Sequence, residues 1–198
     1  SDKLPDTLPA LVEKNIQSDK FPSAKRVDKI TVEMDYGFAS VIYLLYPRDD
    51  RGKNKLIIYH EGHGEDLKYS NFFVERGFTV MYFSMPLSEE NIAPSMFVRT
   101  LGKIKFKSHK DFQYLAGDGF NPIKLFLEPV NAGVNYATKL GYEKIYMAGL
   151  SGGGWTTTLY SAIDPRILKS YPVAGSLPLY LLKERGYGDW EETFPTPA

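Results

Sequence analysis

Apolar residues gather into short runs along this chain. Three of these runs, at 55–60, 78–83 and 144–148, are nearly continuous, which is typical of strands buried on both faces of a parallel sheet. A fourth strand is predicted over 170–174, where Pro172 leaves the extent of the strand open.

Segments of helical length separate these runs. Residues 66–76 and 121–140 suit helices, and each segment is followed by a glycine, Gly77 and Gly141, which is a common residue at a helix end. Residues 152–163 suit a third helix. Strands that alternate with helices in this way predict right-handed crossovers and a mainly parallel sheet with helices on both faces.

The pattern also divides the chain. Residues 1–26 are polar with scattered prolines and predict an N-terminal arm that holds at most one short helix. Residues 27–46 predict an antiparallel hairpin that turns at 35–37. The alternating α/β domain is then expected to occupy 27–198, with a long insertion at about 84–120.

Composition narrows the classes of function. The chain has 198 residues, 43% of them hydrophobic, and its 24 basic and 24 acidic side chains cancel, so no global charge favours nucleic acid. It has no cysteine, which excludes disulfides and a cysteine nucleophile. No apolar run reaches the roughly 18 residues of a membrane-spanning helix. We predict no cofactor, and both cytoplasmic and exported locations stay open.

One motif points to chemistry. The segment from Gly149 to Gly153 has the pattern G-x-S-x-G, with Ser151 at its centre. It follows a predicted buried strand and opens a predicted helix, which is the setting of a nucleophile elbow. Side chains at the two outer positions would collide in so sharp a turn, so glycine occupies both. A glycine-rich turn without a nucleophile and a phosphate-binding loop are the alternatives; a Walker A loop would need a lysine that is absent here.

A second glycine-rich loop, 60–64, follows the first parallel strand. In this architecture it is expected to supply an oxyanion-hole N–H from Gly62 or His63, which would act beside the N–H of Gly152. His60 and His63 also raise the alternative of a metal site, but the spacing indicates no third ligand, and we predict no metal. A purely structural turn is the remaining alternative.

At these residues the sequence resembles the α/β-hydrolase superfamily, in particular its serine esterase, lipase and peptidase-like branches. The matching segments are 56–64, 145–154 and 162–166, the last containing Asp-Pro-Arg. The resemblance covers about residues 27–180. It implies an eight-stranded sheet and a serine, acid, histidine triad in that chain order.

The chain departs from that pattern after Ser151. All of its histidines, His60, His63 and His109, precede the serine, whereas the family's acid and histidine follow its seventh and eighth strands. We therefore expect the C-terminal strands and the catalytic base to lie outside this chain. Two alternatives are a catalytically silent domain that binds a ligand or partner, and a base from outside the family pattern, for which His109 is the candidate.

Three further features stay open. Asp189 and Glu191 are the most suggestive acids after the serine, although a solvated acidic tail is the simpler interpretation. Residues 103–110 alternate lysine with apolar residues, which predicts an amphipathic strand or extended loop. A solvated edge is its commoner meaning, and the alternatives are a surface that attracts an anionic substrate or one that touches a membrane. Trp155 is expected to pack in the core rather than in an acyl pocket.

The predicted function is therefore a serine hydrolase that cleaves a small ester, thioester or amide through Ser151. The alternative is a silent binding or interaction domain of the same fold. An exposed sheet edge further predicts self-association.

Overall fold

The computed structural model describes residues 4–49, 51–52, 54–64, 66–98, 102–117, 119–178, 180–181 and 188–194. Its strands are β1 (Leu11–Glu13), β2 (Arg26–Glu33), β3 (Ala39–Tyr46), β4 (Lys55–His60), β5 (Thr79–Phe83), β6 (Ser95–Val98), β7 (Gly102–Lys105), β8 (Lys144–Leu150) and β9 (Ile167–Val173). The α-helices are α1 (Lys68–Glu75), α2 (Lys124–Lys139), α3 (Gly152–Ile163) and α4 (Trp190–Thr193), and 3₁₀ helices span Asp35–Gly37 and His109–Leu115.

Seven of the strands form one mixed sheet in the order β1-β2-β3-β5-β4-β8-β9. The strands β5, β4, β8 and β9 are parallel, whereas β1, β2 and β3 run antiparallel to their neighbours. Because β4 and β8 are adjacent and parallel, the loops that follow them meet at the same edge of the sheet. That edge carries both glycine-rich loops of the sequence.

Side chains on the two faces of the sheet form separate cores. On one face, Ile58, Met81 and Met147 pack with Val130 of α2 and Tyr160 of α3. On the other face, side chains of the central strands pack with α1 and with a buried aromatic ring from the N-terminal arm. The buried residues of this second core are Phe21, Val27, Val41, Tyr43, Leu45, Tyr59, Val74, Val80 and Tyr82. Helices therefore cover both faces of the sheet, as the periodicity predicts. None of the described helices is long and apolar enough to span a membrane.

The structure corrects two boundaries. The arm contains strand β1 and no helix among its described residues 4–26, because Leu11–Glu13 pair with β2. The last predicted strand begins earlier than expected, at Ile167, and continues through Pro172. A proline is tolerated there because β9 has a neighbour only on its β8 side in the described sheet, and edge strands accept the loss of an N–H.

The segment at about 84–120 is not part of the main sheet. Its described residues form the hairpin β6–β7 and the 3₁₀ helix that begins at His109. The amphipathic prediction is confirmed for β7, whose residues alternate between exposed and half-buried positions. Phe106 and Phe112 anchor this segment against α2 and α3 in a third core, which also contains the buried Trp155. The prediction that Trp155 packs in the core is thus confirmed.

Candidate active site

Ser151 occupies a strained turn between β8 and α3. Its backbone angles are φ 55° and ψ −126°, a combination that residues with a Cβ atom rarely adopt. The Ser151 N–H donates to the Val173 carbonyl at 2.9 Å, which ties the turn to the end of β9. The residue is exposed, although the first residues of the helix that follows it are buried.

The outer glycines of the motif are required by close backbone contacts. A Cβ atom at Gly149 would lie 2.1 Å from the Gly153 carbonyl oxygen, and one at Gly153 would lie 2.0 Å from the His60 carbonyl oxygen. Both distances are far inside van der Waals contact. The steric reason for the two glycines, inferred from the sequence, is therefore confirmed.

The loop after β4 packs directly on this turn. His60 is opposite Gly149 in the β4–β8 register, and a Cβ atom at Gly62 would lie 2.8 Å from both the Leu150 carbonyl oxygen and the Ser151 Cβ. His63 reaches past the turn, since its Cε1 lies 3.4 Å from the position of a Cβ at Gly152. The structure thus brings Gly62, His63 and Gly152 together beside Ser151.

The N–H groups near Ser151 differ in their surroundings. Gly152 is the first residue of α3, where N–H groups have no partner within the helix and the helix dipole favours negative charge. The Gly62 N–H and the Tyr59 hydroxyl both donate to the Glu61 carboxylate. Burial raises the pKa of Glu61 by more than these two hydrogen bonds lower it, so the pKa is raised overall. An oxyanion bound by Gly62 would compete with Glu61 for that hydrogen.

The surroundings of His60 favour its neutral form. It is fully buried, and burial lowers its pKa to about 4. Its Nδ1 lies 2.7 Å from the Glu61 carbonyl oxygen, which only accepts hydrogen bonds and so holds the hydrogen on Nδ1. His60 therefore serves as a packing residue beneath the loop, and its ring stacks on Phe83.

His109 and Glu191, both buried, form a cluster with the more exposed His63. Its Nδ1 lies 2.9 Å from Glu191 Oε2 and 3.3 Å from His63 Nε2, while its Nε2 lies 2.8 Å from the Pro86 carbonyl oxygen. Burial lowers the pKa of His109, but the bond to Glu191 and its negative charge outweigh burial, so the pKa is raised overall. Three segments that are distant in sequence meet at this cluster.

The short helix α4 positions Glu191. Asp189 and Glu192 form a capping box at its N-terminus, and Trp190 packs edge-on against Phe112, with ring centroids 6.1 Å apart. Glu191 is 1% exposed, so the interpretation of this segment as a solvated acidic tail is wrong for Glu191. That interpretation fits Asp189, whose side chain is 59% exposed, with Oδ2 lying 3.7 Å from His63 Nδ1.

A cavity of about 580 Å³ opens beside the cluster, lined by His63, Pro86, Leu87, Ser88, Lys107, Ser108, His109, Lys110, Gly188, Asp189, Trp190 and Glu191. Lys107 and Lys110 belong to the lysine-rich segment identified in the sequence, and they place positive charge at the wall of this cavity.

No pattern in the sequence indicates that His63, His109 and Glu191 lie close together. The capping box Asp189–Glu192 was the one local signal of an ordered segment there.

Several solved structures have a backbone similar to that of this chain. No family model and no curated protein matches the chain. An acetyl xylan esterase from Paenibacillus sp. R4 superimposes with a TM-score of 0.64 over 91% of this chain at 13% sequence identity. Acetyl xylan esterase 1 from Thermoanaerobacterium sp. JW/SL YS485 does so with a TM-score of 0.61 over 82% of the chain at 18% identity. The chain has the α/β-hydrolase fold.

An esterase from Pyrococcus furiosus shares this fold with a TM-score of 0.57 over 91% of the chain at 14% identity. The chain spans only 59%, 51% and 62% of the lengths of these three esterases, in the order given. Ser151 lies in the turn between the central strand β8 and the helix α3.

Proposed function

We propose that the protein is a serine hydrolase that cleaves an ester, thioester or amide by acyl transfer to Ser151. The observation that carries the proposal is the backbone of Ser151, which holds φ 55° and ψ −126° at the start of α3. Such strain persists where the surrounding structure enforces it, and it is concentrated at functional sites. Here it exposes the hydroxyl beside an unpaired helix N-terminus.

The reaction has two steps. Ser151 Oγ attacks the carbonyl carbon, a base takes the hydroxyl proton, and the leaving group departs with a proton as the acyl-enzyme forms. Water then attacks the acyl carbon and restores the serine. We assign the oxyanion of both tetrahedral intermediates to the N–H of Gly152 and to an N–H of Gly62 or His63, because the two loops that contain these residues meet at Ser151.

Small acyl esters are the proposed substrates. The solved structures with this fold include two that are called acetyl xylan esterases and one called an esterase. Acetyl esters are therefore the first substrates to test.

We propose that the base and its acid partner come from outside these 198 residues. His60 is buried with its Nδ1 engaged, and both nitrogens of His109 are engaged by Pro86 and Glu191. His63 lies near the turn, but the described residues show no hydrogen bond between it and the Ser151 hydroxyl. A serine hydroxyl without a base is a weak nucleophile near neutral pH.

A fluorophosphonate probe tests the proposal. Mass spectrometry of the labelled chain should locate the adduct on Ser151, and Ser151→Ala should abolish it. Imidazole in solution should accelerate labelling of the unmodified chain by acting as the absent base. If Ser151 stays unlabelled with imidazole present while the chain is folded, acyl transfer is excluded and a binding domain of the same fold is favoured.

We further propose that chains associate through β9. The exposed fractions of Leu168, Tyr171 and Val173 on this strand are 53%, 55% and 55%. An apolar groove of about 400 Å³ adjoins it, formed with Tyr59 and Phe73 among others. An edge strand with apolar side chains is a surface on which a second copy of the chain can pack.

A further inference from the structure

The Pro86 carbonyl determines which nitrogen of His109 carries a hydrogen. A carbonyl oxygen only accepts hydrogen bonds, and this one lies 2.8 Å from His109 Nε2, so Nε2 is protonated. Nδ1 lies 2.9 Å from Glu191 Oε2, and an ionised carboxylate also only accepts. A neutral His109 would direct the lone pair of Nδ1 at another lone pair. A proton or a metal ion must therefore lie between the two atoms.

One proton cannot satisfy all the atoms that converge here. A proton on His109 Nδ1 would serve the contact with Glu191 Oε2 alone. Glu191 Oε1 is buried without a hydrogen-bond partner, and it lies 3.9 Å from His63 Nε2. His63 Nε2 itself lies 3.3 Å from His109 Nδ1. Glu191 Oε1 thus lies beside His63 Nε2 and has no hydrogen-bond partner among the described residues.

The spacing of these atoms fits a tetrahedral metal ion. Zinc binds histidine nitrogen at about 2.0–2.1 Å, so two ligands of a tetrahedral site lie about 3.3 Å apart. Here the two histidine nitrogens lie 3.3 Å apart, His109 Nδ1 lies 2.9 Å from Glu191 Oε2, and His63 Nε2 lies 3.9 Å from the other carboxylate oxygen, Glu191 Oε1. We propose that His63 Nε2, His109 Nδ1 and the Glu191 carboxylate bind a divalent cation of the zinc class.

The surroundings have the features of a metal site. Histidines that bind metal usually donate their other N–H to a carbonyl or carboxylate; His109 does so to Pro86, and Asp189 Oδ2 lies 3.7 Å from the Nδ1 of His63. Phe112 and Phe126 pack against the His109 ring, with centroids 5.5 and 4.9 Å away, and shield one side from water.

The ligand set also indicates which ions bind. Two imidazoles and one carboxylate favour zinc and its transition-metal neighbours, whereas magnesium and calcium prefer oxygen ligands. The cavity of about 580 Å³ borders all three side chains, and it leaves the fourth coordination position open to water or to a ligand.

This site does not depend on the acyl-transfer proposal. None of its three ligands is Ser151, and the cation is held by side chains, while the oxyanion is assigned to backbone N–H groups. Binding should therefore be unchanged in Ser151→Ala. If that variant binds zinc and loses labelling, both proposals stand; if it binds zinc and the unmodified chain is never labelled, only the acyl-transfer proposal fails.

Isothermal titration of the 198-residue chain with Zn²⁺ tests the site. We expect one ion per chain and a rise in the melting temperature, with no comparable effect of Mg²⁺. Co²⁺ should give the visible absorption of a tetrahedral ion with nitrogen and oxygen ligands. An unmodified chain that neither binds Zn²⁺ nor gains thermal stability from it would overturn the proposal and leave a proton as the bridging charge.

Variants locate the ion. Glu191→Gln and His63→Ala should each weaken zinc binding by more than about 100-fold, because even a residue outside the ligand set contributes about 10- to 100-fold. Glu192→Gln is the matched control on the same helix, since its amide oxygen can still accept the Asp189 N–H, and it should bind as the unmodified chain does. Should Glu191→Gln fail to fold, His63→Ala decides, because that side chain is 43% exposed. Equal zinc affinity in His63→Ala and the unmodified chain would place the ion elsewhere.

Discussion

Gly62 lies so close to Ser151 that a Cβ atom on it would be 2.8 Å from the Cβ of the serine. The same atom would be 2.8 Å from the Leu150 carbonyl oxygen. Both neighbours belong to the turn that holds Ser151, so neither can move without changing the position of its hydroxyl.

Gly62→Ala should therefore reduce both stability and reactivity. Overpacking of this kind costs about 1–3 kcal/mol in the free energy of unfolding, and the displaced turn should slow fluorophosphonate labelling. Gly64→Ala is the control, because a Cβ there would meet only the Glu61 Oε1, at 3.7 Å. Denaturant unfolding and the labelling rate measure the two effects, and equal behaviour of the two variants would show that Gly62 is not a close-packed position.

Ser151→Gly should raise the free energy of unfolding. Glycine adopts φ 55° and ψ −126° without the cost of about 1–3 kcal/mol that a side chain incurs there, and this gain exceeds the roughly 0.5–1 kcal/mol lost to greater freedom of the unfolded chain. Ser151→Ala keeps the Cβ atom and should leave stability nearly unchanged, since the hydroxyl is exposed. Urea unfolding distinguishes the variants, and a destabilised Ser151→Gly would contradict the assignment of strain.

Glu90 should make stability depend on pH in the acid range. Its carboxylate accepts hydrogen bonds from Lys29 Nζ at 2.6 Å, from the Tyr43 hydroxyl and from Lys20 Nζ at 2.9 Å. The bonds from Lys29 and Tyr43 outweigh partial burial and lower the pKa of Glu90 from 4.5 to about 2. A lowered pKa in the folded state means that the stabilisation is complete above pH 4.5 and is lost as the pH falls toward 2.

Glu90→Gln should thus be less stable than the unmodified chain at neutral pH. The difference between the two should shrink as the pH falls from 4.5 toward 2, because protonation removes the same charge from the unmodified chain. Urea unfolding at several pH values measures it, with Glu143→Gln, an exposed glutamate, as the control. A difference that is constant with pH would show that the charge of Glu90 does not stabilise the fold.

Tyr171→Lys should reduce self-association. A charge on β9 disfavours the packing of a second copy on this strand, and the side chain at this position is 55% exposed, so folding should be little affected. Leu140→Lys, at an exposed apolar position after α2, is the control. Light scattering over a range of concentrations gives the oligomeric state. A monodisperse monomer of the unmodified chain would show that chains do not associate through β9.

The sequence predicts the parts of the fold that depend on local patterns. Continuous apolar runs such as 55–60 and 144–148 can be buried only between two helical layers, and both are central strands. The spacing of Gly149, Ser151 and Gly153 is likewise local, because the turn excludes larger side chains at the outer positions. The segment Asp164–Arg166 ends α3 as its residues indicate, with the Asp164 carboxylate 2.7 Å from Arg166 Nη2.

The remaining features depend on distant contacts. Strand β1 has three residues, too few for a periodic signal, and it exists because β2 offers a free edge. Glu191 lies in the segment 188–192, whose three acidic residues suggest a solvated surface. Its burial results from the packing of Trp190 on Phe112, a contact between residues far apart in the chain.

The strain at Ser151 has a consequence for how this position varies over time. Any residue other than glycine there makes the folded chain less stable, so the proposed use of the hydroxyl gives a reason for a serine at this position. In lineages that have lost the chemistry, random substitution should replace the serine with glycine sooner than the neighbouring core positions change.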